Sequence, residues 1–260
     1  MDDVLIERVE GRVAVLTLNR PDSLNALDTV LMRRLVEGVR RVADDKAIGC
    51  VVLTGAGRGF CSGGDVKSIS DARDADSSEP GPRGNIESRT SWLRRNVEAA
   101  RLLHEMPKPV IAMINGACAG AGLSLAAACD FRFAATSAKF RPAFTANGMP
   151  GDYGGSWLWP RILGDAKARQ LYLIDEMRDA CRALAFGLVD RVYPDSQLAA
   201  VTMALATRLA ALPPDGLAYA KNNLNAATTE TFAQSLDRES LNMMLARHAL
   251  IEARKSETAT

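Results

Sequence analysis

Residues 109–130, which read PVIAMINGACAGAGLSLAAACD, constrain the fold of this chain more than any other stretch. The stretch opens after a proline with a short apolar run, which is typical of a buried strand, although its period alone does not exclude a helix. Asn115-Gly116 breaks that run, and residues 123–129 are all small or apolar. A helix with no polar face is buried on all sides. The stretch therefore predicts a strand, a glycine turn and a buried helix.

The glycine turn inside this stretch suits a binding site. Gly120, Ala121 and Gly122 let another molecule approach the backbone closely. The N–H groups at a helix start have no partner within the helix, and the helix dipole adds partial positive charge there. Tight packing of helix on sheet explains a single turn of this kind equally well. A second glycine-rich turn at 55–65, after the apolar run 49–54, favours a functional site.

Periodicity and turn residues elsewhere predict an α/β core followed by helices. Residues 4–9 and 12–18 alternate around Glu10-Gly11, which indicates a hairpin, and Asp28 is the expected N-cap of the first helix. A polar loop is expected over 70–85. Further strands are predicted at 49–54, 110–114, 131–135, 139–140 and 188–192, and further helices from Val66 and over 86–105 and 123–129. From Ala166 onward the chain is expected to be almost wholly helical apart from 188–192, with helical stretches over 196–211, 214–226 and 229–250.

Composition and charge exclude several classes of function. Lys and Arg number 32 and Asp and Glu number 31, so no broad basic field is available for nucleic acid. No apolar run approaches the roughly 18 residues of a membrane span, and the acidic, alternating N-terminus is neither a signal nor a transit peptide, so we expect a cytoplasmic protein. Neither glycine turn carries the dinucleotide or P-loop pattern. Two histidines and scattered cysteines lack metal-ligand spacing, so we expect no metal: Cys50, Cys61, Cys118, Cys129 and Cys181.

Five segments together resemble the enoyl-CoA hydratase/isomerase family, also called the crotonase superfamily. The segments are LNRPDSLNALD (18–28), FCSGGDV (60–66), PVIAMINGACAGAGLSLAAACD (109–130), GMPGDYGG (148–155) and AFGLVDRV (185–192). The resemblance runs from about residue 3 to about residue 240. It implies an α/β spiral of β-β-α units over 1–195 and a helical region over 196–260 that packs into trimers, often paired into hexamers.

The resemblance also implies a coenzyme A thioester as the substrate and no separate cofactor. The thioester carbonyl would lie between the backbone N–H groups of Gly64 and Ala121, one from each glycine turn. Donors preset for the charge of an enolate stabilise it more than the ground state. Asp65 also fits the N-cap position of the helix that begins at Val66. For its side chain we prefer this capping role. The coenzyme A path would be lined by Ser23, Leu24, Ala26, Ser62, Asp65 and Val66.

The chain departs from the family pattern at the two glutamates with which family hydratases activate water and deliver a proton. Ser124 and Phe144 stand at those positions, and neither is a carboxylate. Asp152 fills a third position, where dienoyl-CoA isomerases and the ring-opened epoxide isomerases of phenylacetate degradation carry a catalytic aspartate. Benzoyl-CoA dehalogenases also carry a nucleophilic aspartate at this position, but the residues that bind an aromatic ring around it are not evident in this sequence. Among glycines, Asp152 is also an ordinary turn residue.

The sequence therefore predicts an acyl-CoA enzyme that shifts a double bond with Asp152 as its acid and base, since one carboxylate suffices for a 1,3-proton shift. Two alternatives stay open. One is an enoyl-CoA hydratase of fatty-acid or aromatic-acid degradation, and the other is a paralogue that binds acyl-CoA without chemistry. The C-terminal RHALIEARKSETAT preserves little of the acidic stretch with which family members contact a neighbour's coenzyme A.

Overall fold

The computed structural model describes residues 3–65 and 84–258 of the chain. The predicted helix from Val66 and nearly all of the predicted loop 70–85 lie outside these ranges. The described strands are β1 Leu5–Glu10, β2 Val13–Leu18, β3 Cys50–Gly55, β4 Gly59–Cys61, β5 Val110–Ile114, β6 Ala117–Ala119, β7 Phe131–Ala135, β8 Lys139–Arg141, β9 Arg178–Asp179 and β10 Arg191–Tyr193. The described helices are α1 Thr29–Asp44, α2 Ile86–Asn96, α3 Glu98–Glu105, α4 Ala121–Ala128, α5 Gly155–Leu163, α6 Asp165–Ile174, α7 Ala180–Phe186, α8 Asp195–Ala210, α9 Pro214–Ala226 and α10 Phe232–Thr258.

Two sheets share the strands of each repeating unit. The larger sheet has the order β1-β2-β3-β5-β7-β10, and all its pairs are parallel except the β1–β2 hairpin. The smaller sheet has the order β4-β6-β8-β9, with only the β8–β9 pair antiparallel. The consecutive pairs β3/β4, β5/β6 and β7/β8 each give one strand to each sheet. This repeat, followed by the helices α8 to α10, confirms the predicted fold class.

The inner strands of the larger sheet, β2, β3, β5 and β7, are largely buried on both faces, whereas the edge strands β1 and β10 are partly exposed. Successive side chains of β3 alternate, so Val51 and Leu53 join the main core between sheet and helices. Cys50 and Val52 face the other way and pack in a second cluster with residues of α8, among them Leu198. Helix α8 thus covers the outer face of the sheet, and the division of the chain at residue 195 stays a prediction.

Several local features differ from the predictions, among them strand β4 inside the expected glycine turn and strand β9 inside the expected helical stretch. The expected helix 86–105 divides at Val97 into α2 and α3, although the Val97 N–H still donates to the carbonyl of Leu93. The short strand β6 follows Asn115-Gly116 directly and was not predicted. Helix α5 was also missed, because its glycines and the interior Pro160 signal a loop, whereas burial of Leu158 and Trp159 favours a helix.

The last two helices leave apolar side chains in contact with solvent. Several residues of α10 are 41–60% exposed: Leu236, Leu241, Met244 and Leu245. Such an apolar helix face is unusual on a monomer. Among the described residues, no helix combines the length and the apolar character needed to cross a bilayer.

Candidate active site

The two glycine-rich turns of the sequence meet in space. Gly63 and Gly120 both have positive φ values, 103° and 53°, which a glycine adopts without strain. A Cβ atom on Gly63 would lie 3.5 Å from the backbone nitrogen of Ala121 and 3.5 Å from Cα of Gly120. The predicted donors, Gly64 and Ala121, therefore lie on adjoining backbone segments.

The backbone hydrogen bonds around these segments do not use the N–H groups of the two predicted donors. Leu27 donates its N–H to the carbonyl of Gly63 at 2.8 Å and accepts from the N–H of Asp65 at 3.0 Å, so Gly64 is passed over. Ala121 is the first residue of α4, where no earlier helical carbonyl can accept its N–H. Within the described ranges, neither the Gly64 nor the Ala121 N–H donates a hydrogen bond. Both are available to an oxygen atom of a ligand.

Five of the residues predicted to line a coenzyme A path lie on two neighbouring segments, 23–26 and 62–65, which hydrogen bonds join. The Ser62 hydroxyl donates to the carbonyl of Ser23 at 3.0 Å, and the Ser62 N–H donates to the carbonyl of Leu24 at 3.0 Å. Asn25 is fully buried, and its amide Nδ2 donates to the carbonyl of Gly59 at 2.7 Å. These bonds join loop 20–27, which includes Ala26, to the strand that leads into the glycine turn.

A charged residue that sequence reasoning missed holds this loop from the other side. Arg20 contacts Asp28 through Nε at 3.1 Å and Asp65 through Nη2 at 3.0 Å. Asp65 is thus engaged by an arginine, and its preferred role as cap of the following helix falls, like Val66, outside the described residues. The sequence signal for Arg20 was only its place in a turn between hairpin and helix.

Asp152 lies in a turn of unusual backbone conformation. The next two residues, Tyr153 and Gly154, have φ values of 50° and 75°, and Gly151 has 110°. Tyr153 is a non-glycine residue in the left-handed region, and such strain clusters at functional sites. The Asp152 side chain is half-buried, and Oδ1 has no hydrogen-bond partner among the described residues. Burial raises the pKa of Asp152 to about 6.

Ser124 and Phe144 come together beside Asp152 with a residue that the sequence did not single out, Tyr172. The Phe144 and Tyr172 rings stack with centroids 6.0 Å apart and planes 8° from parallel. A Cβ atom on Gly155 would overlap both the Tyr172 hydroxyl and Ser124 Oγ, so the two oxygens lie over the same point of the backbone. No sequence pattern marks Tyr172, because the residues around it predict a helix and carry no sign of a functional side chain.

Comparison with known proteins places the chain in a family. Residues 8–256 match the family described as "Enoyl-CoA hydratase/isomerase". The chain belongs to this family.

Relatives of known name and structure agree with this assignment. A 1,2-epoxyphenylacetyl-CoA isomerase of Escherichia coli is 39% identical over 92% of this chain and 88% of its own length. A probable enoyl-CoA hydratase of Mycobacterium bovis is 36% identical over 89% of this chain and 81% of its own length. The crystal structure of a putative enoyl-CoA hydratase from Streptomyces coelicolor has a TM-score of 0.86 and 32% identity, covering 98% of this chain and 92% of that one.

A cavity that adjoins the Asp152 turn is a candidate for the substrate site of this family. The cavity has a volume of about 330 Å³ and reaches Tyr153 and Gly154, which directly follow Asp152. Its apolar wall is formed by Val97, Ala100, Trp157 and Leu158, and its polar rim by Arg94, Arg101, His104 and Glu105. Among the described residues, none of the predicted site residues lines this cavity or a larger groove of about 690 Å³ between α1 and α2, and the smaller cavity is the one that adjoins the Asp152 turn. The smaller cavity is within the size range of small-molecule sites.

The described ranges hold no group of three or more His, Cys, Asp or Glu residues that could bind a metal ion. Cys61 lies at the end of β4 and is fully buried, and burial raises the pKa of its thiol to about 12. A thiol with so high a pKa is protonated near neutral pH and is a poor nucleophile. Asp152 is therefore the better candidate for proton transfer.

The raised pKa of Asp152 predicts a pH-dependent stability effect. When burial raises the pKa of a carboxyl group above its value in the unfolded chain, the folded protein is most stable at pH values below the unfolded pKa, where the group is neutral in both states. That stability is lost as the pH rises through the folded pKa of about 6, because the buried group must then ionise. Asp152→Asn removes the buried charge, so the free energy of unfolding at pH 7 should rise by about 1–3 kcal/mol, with little change near pH 4. Urea unfolding at both pH values measures this, with the exposed Asp44→Asn as control. An equal effect at both pH values would show that the carboxylate is not desolvated.

Proposed function

We propose that this protein is an enoyl-CoA isomerase, which shifts a double bond in an acyl-CoA thioester by way of its enolate. The observation that carries the proposal is the Asp152 carboxylate, half-buried, with one oxygen unpaired among the described residues and a pKa of about 6. It lies beside two positions, Ser124 and Phe144, that lack the carboxylates of a hydratase. A single base poised near neutral pH suits proton transfer between two carbons.

The proposed reaction uses the backbone donors and the carboxylate in turn. The thioester carbonyl accepts hydrogen bonds from the Gly64 and Ala121 N–H groups, which makes the α-carbon more acidic. Asp152 takes a proton from carbon, the electron pair moves onto the carbonyl oxygen, and the two N–H groups stabilise that charge. The same carboxylate then returns the proton to another carbon, so the double bond moves and no atom is gained or lost.

The relative from Escherichia coli, named an isomerase, supports this proposal. Several other relatives are named probable enoyl-CoA hydratases, and hydration is therefore the second candidate. Hydration requires a water molecule held and activated next to the substrate. Ser124 and the Phe144 ring offer no carboxylate for that purpose, and the stacked Tyr172 ring adds apolar surface.

Product analysis separates the candidates. We expect the protein to convert a 3-enoyl-CoA into the conjugated 2-enoyl-CoA, which is followed by absorbance, and to hydrate crotonyl-CoA very slowly. A general acid or base contributes about 10²–10⁴-fold to a rate. Because both hydratase glutamates are missing, the rate of hydration should be lower than that of an efficient hydratase by at least this factor. Rapid hydration would contradict the isomerase assignment. Binding of acetoacetyl-CoA in calorimetry with neither reaction would instead indicate a binding protein.

We also propose that the chain forms trimers or dimers of trimers through its C-terminal helices. The exposed apolar side chains of α10, such as Leu241 and Met244, need a partner surface, and a second copy of the chain supplies one. Multi-angle light scattering should report about three or six times the 27.9 kDa of one chain. Leu241→Glu should reduce that mass, whereas Glu239→Gln, on the same helix, should not. A monomer at assay concentration would contradict the proposal.

A further inference from the structure

The backbone at Gly64, whose N–H is one of the two proposed carbonyl donors, is held only through its neighbours. Gly63 precedes it with a φ of 103°, and neither glycine has a side chain that could pack and fix the segment. Gly64 itself makes no hydrogen bond to any residue that the structure describes. A donor stabilises a developing charge best when its direction is fixed beforehand, so the neighbours of Gly64 must fix it.

Both chain neighbours of Gly64 bond to Leu27, which is fully buried. The Leu27 N–H donates to the carbonyl of Gly63 at 2.8 Å, and the Leu27 carbonyl accepts from the N–H of Asp65 at 3.0 Å. These two bonds make a short parallel bridge between Leu27 and Gly64. The direction of the Gly64 N–H therefore follows the positions of Leu27 and Asp65.

Arg20 contacts the residues on both sides of this bridge. Its Nη1 donates to the carbonyl of Ala26, and its Nε contacts Asp28 Oδ2 at 3.1 Å, so the guanidinium holds both residues that flank Leu27. Its Nη2 contacts Asp65 Oδ2 at 3.0 Å. One planar group thus joins the neighbours of Leu27 to the residue that follows Gly64.

The ionic contacts of Arg20 are partly buried and attached to a rigid element. The side chains of Arg20, Asp28 and Asp65 are only 22%, 20% and 17% exposed. Solvent and salt screen such contacts less than they screen an exposed ion pair. Asp28 also accepts a hydrogen bond from the Leu31 N–H at 2.8 Å and so caps α1. Arg20 therefore links the Gly64 segment to the start of a helix that packs in the main core.

We propose that Arg20 is a positioning residue, which holds the Gly64 N–H against the thioester carbonyl by way of Asp65. The inference rests on the proposed function, because it assumes that the carbonyl binds at Gly64 and Ala121. All three guanidinium nitrogens of Arg20 already bind oxygen atoms of the protein. The proposal therefore assigns Arg20 no direct contact with the substrate.

The rest of the loop 20–27 does not depend on the Arg20 side chain. The backbone N–H of Arg20 donates to Asn25 Oδ1 at 2.8 Å, and Asn25 Nδ2 donates to the carbonyl of Gly59 at 2.7 Å. The Ser62 N–H donates to the carbonyl of Leu24 at 3.0 Å. None of these bonds uses the guanidinium, so Arg20→Gln should keep the loop and loosen the segment around Gly64.

Infrared difference spectra of bound butyryl-CoA, labelled with ¹³C at the carbonyl, test the positioning role. Wild-type protein should lower the stretching frequency of the thioester carbonyl, and Arg20→Gln should diminish that shift. At saturating butyryl-CoA, exchange of the α-proton with solvent deuterium should slow by about 10–100-fold, part of the loss that follows removal of one oxyanion donor. Affinity for free coenzyme A, which has no thioester carbonyl, should be unchanged in calorimetry.

Two further variants complete the test. Asp65→Asn should diminish the carbonyl shift to a similar extent, and the double variant should lose no more than either single one, because Arg20 and Asp65 act as one unit. Arg34→Gln is the matched control. Arg34 also contacts two carboxylates, those of Asp3 at 3.0 Å and Glu37 at 3.6 Å, and neither belongs to the site. That variant should keep the wild-type shift and exchange rate.

An unchanged carbonyl shift in folded Arg20→Gln would overturn the positioning role, as would the absence of any shift in the wild type. Equal weakening of free coenzyme A and butyryl-CoA would also overturn it, because Arg20 would then support the binding path rather than the donor. If circular dichroism shows Arg20→Gln to be unfolded, the shift in Asp65→Asn decides. Wild-type protein that shifts the carbonyl without exchanging the α-proton would overturn the isomerase proposal alone.

Discussion

Asp152→Asn is expected to lose about 10²-fold or more in isomerisation and to abolish exchange of the substrate's α-proton with solvent deuterium. The amide cannot accept a proton from carbon, whereas the carboxylate, with its pKa near 6, can. The side chain keeps its shape, and the Gly64 and Ala121 N–H groups are untouched, so acyl-CoA affinity should be retained. Nuclear magnetic resonance of the thioester in deuterated buffer measures the exchange without knowledge of the natural product.

The matched control is Asp44→Asn, because Asp44 is exposed at the end of α1 and belongs to none of the site segments. Wild-type exchange should also rise with pH through about 6, because only the ionised carboxylate accepts the proton. If the Asp152→Asn protein exchanged the α-proton as fast as the wild type, Asp152 would be a turn residue and another base would have to be sought. Tight binding without exchange in both proteins would indicate a binding function.

Gly122→Ala is expected to reduce α-proton exchange by roughly 10²-fold through the backbone donors rather than through the base. A Cβ atom on Gly122 would overlap the Cys61 carbonyl oxygen and lie 2.7 Å from Cys61 Cβ. Helix α4 would have to move away from β4, which separates the Ala121 N–H from Gly64. Loss of one oxyanion donor typically costs about 10²–10³-fold in rate. The overpacked contact should also lower the free energy of unfolding by about 1–3 kcal/mol.

Gly216→Ala provides the control, because a Cβ atom at Gly216 in α9 meets no other atom within 4 Å. That variant should exchange the α-proton at the wild-type rate and gain up to about 1 kcal/mol in stability from helix propensity. The two exchange rates are compared without denaturant, at a temperature where circular dichroism shows both variants folded. Wild-type exchange in folded Gly122→Ala would contradict the assignment of Ala121 as a donor.

Local signals in the sequence predicted most of the secondary structure and one half of the site. The hairpin, the Asp28-capped helix and the buried helix after Gly120 follow from alternation, capping and the absence of a polar face, all of which act over a few residues. The resemblance of the five segments to the family placed Ser124 and Phe144 at the positions of the two hydratase glutamates. It also picked out Asp152, whose partly buried carboxylate then gave a physical basis for the same choice.

Residues distant in sequence completed the site in ways that no local pattern revealed. Arg20 joins Asp28 and Asp65 across 45 positions of the chain. Tyr172 reaches Ser124 and Phe144 from a helix whose sequence indicates only helicity. The division of helix 86–105 at Val97 likewise has no glycine or proline to mark it. For Arg20 and Tyr172 the deciding contact involves an element that is remote along the chain, and one sequence contains no record of such a contact.

The sequence by itself determined that two glycine turns exist, that a buried helix follows one of them, and that an aspartate stands in a third turn. These are properties of backbone freedom and hydrophobic period, which each segment carries independently. Only the tertiary structure decided that Gly63 and Gly120 touch, that Asp152 lies partly buried with an unpaired oxygen, and that a phenol lies beside Ser124. The strengths of a carboxylate as base and of an N–H as donor depend on burial and mutual distance, and packing sets both.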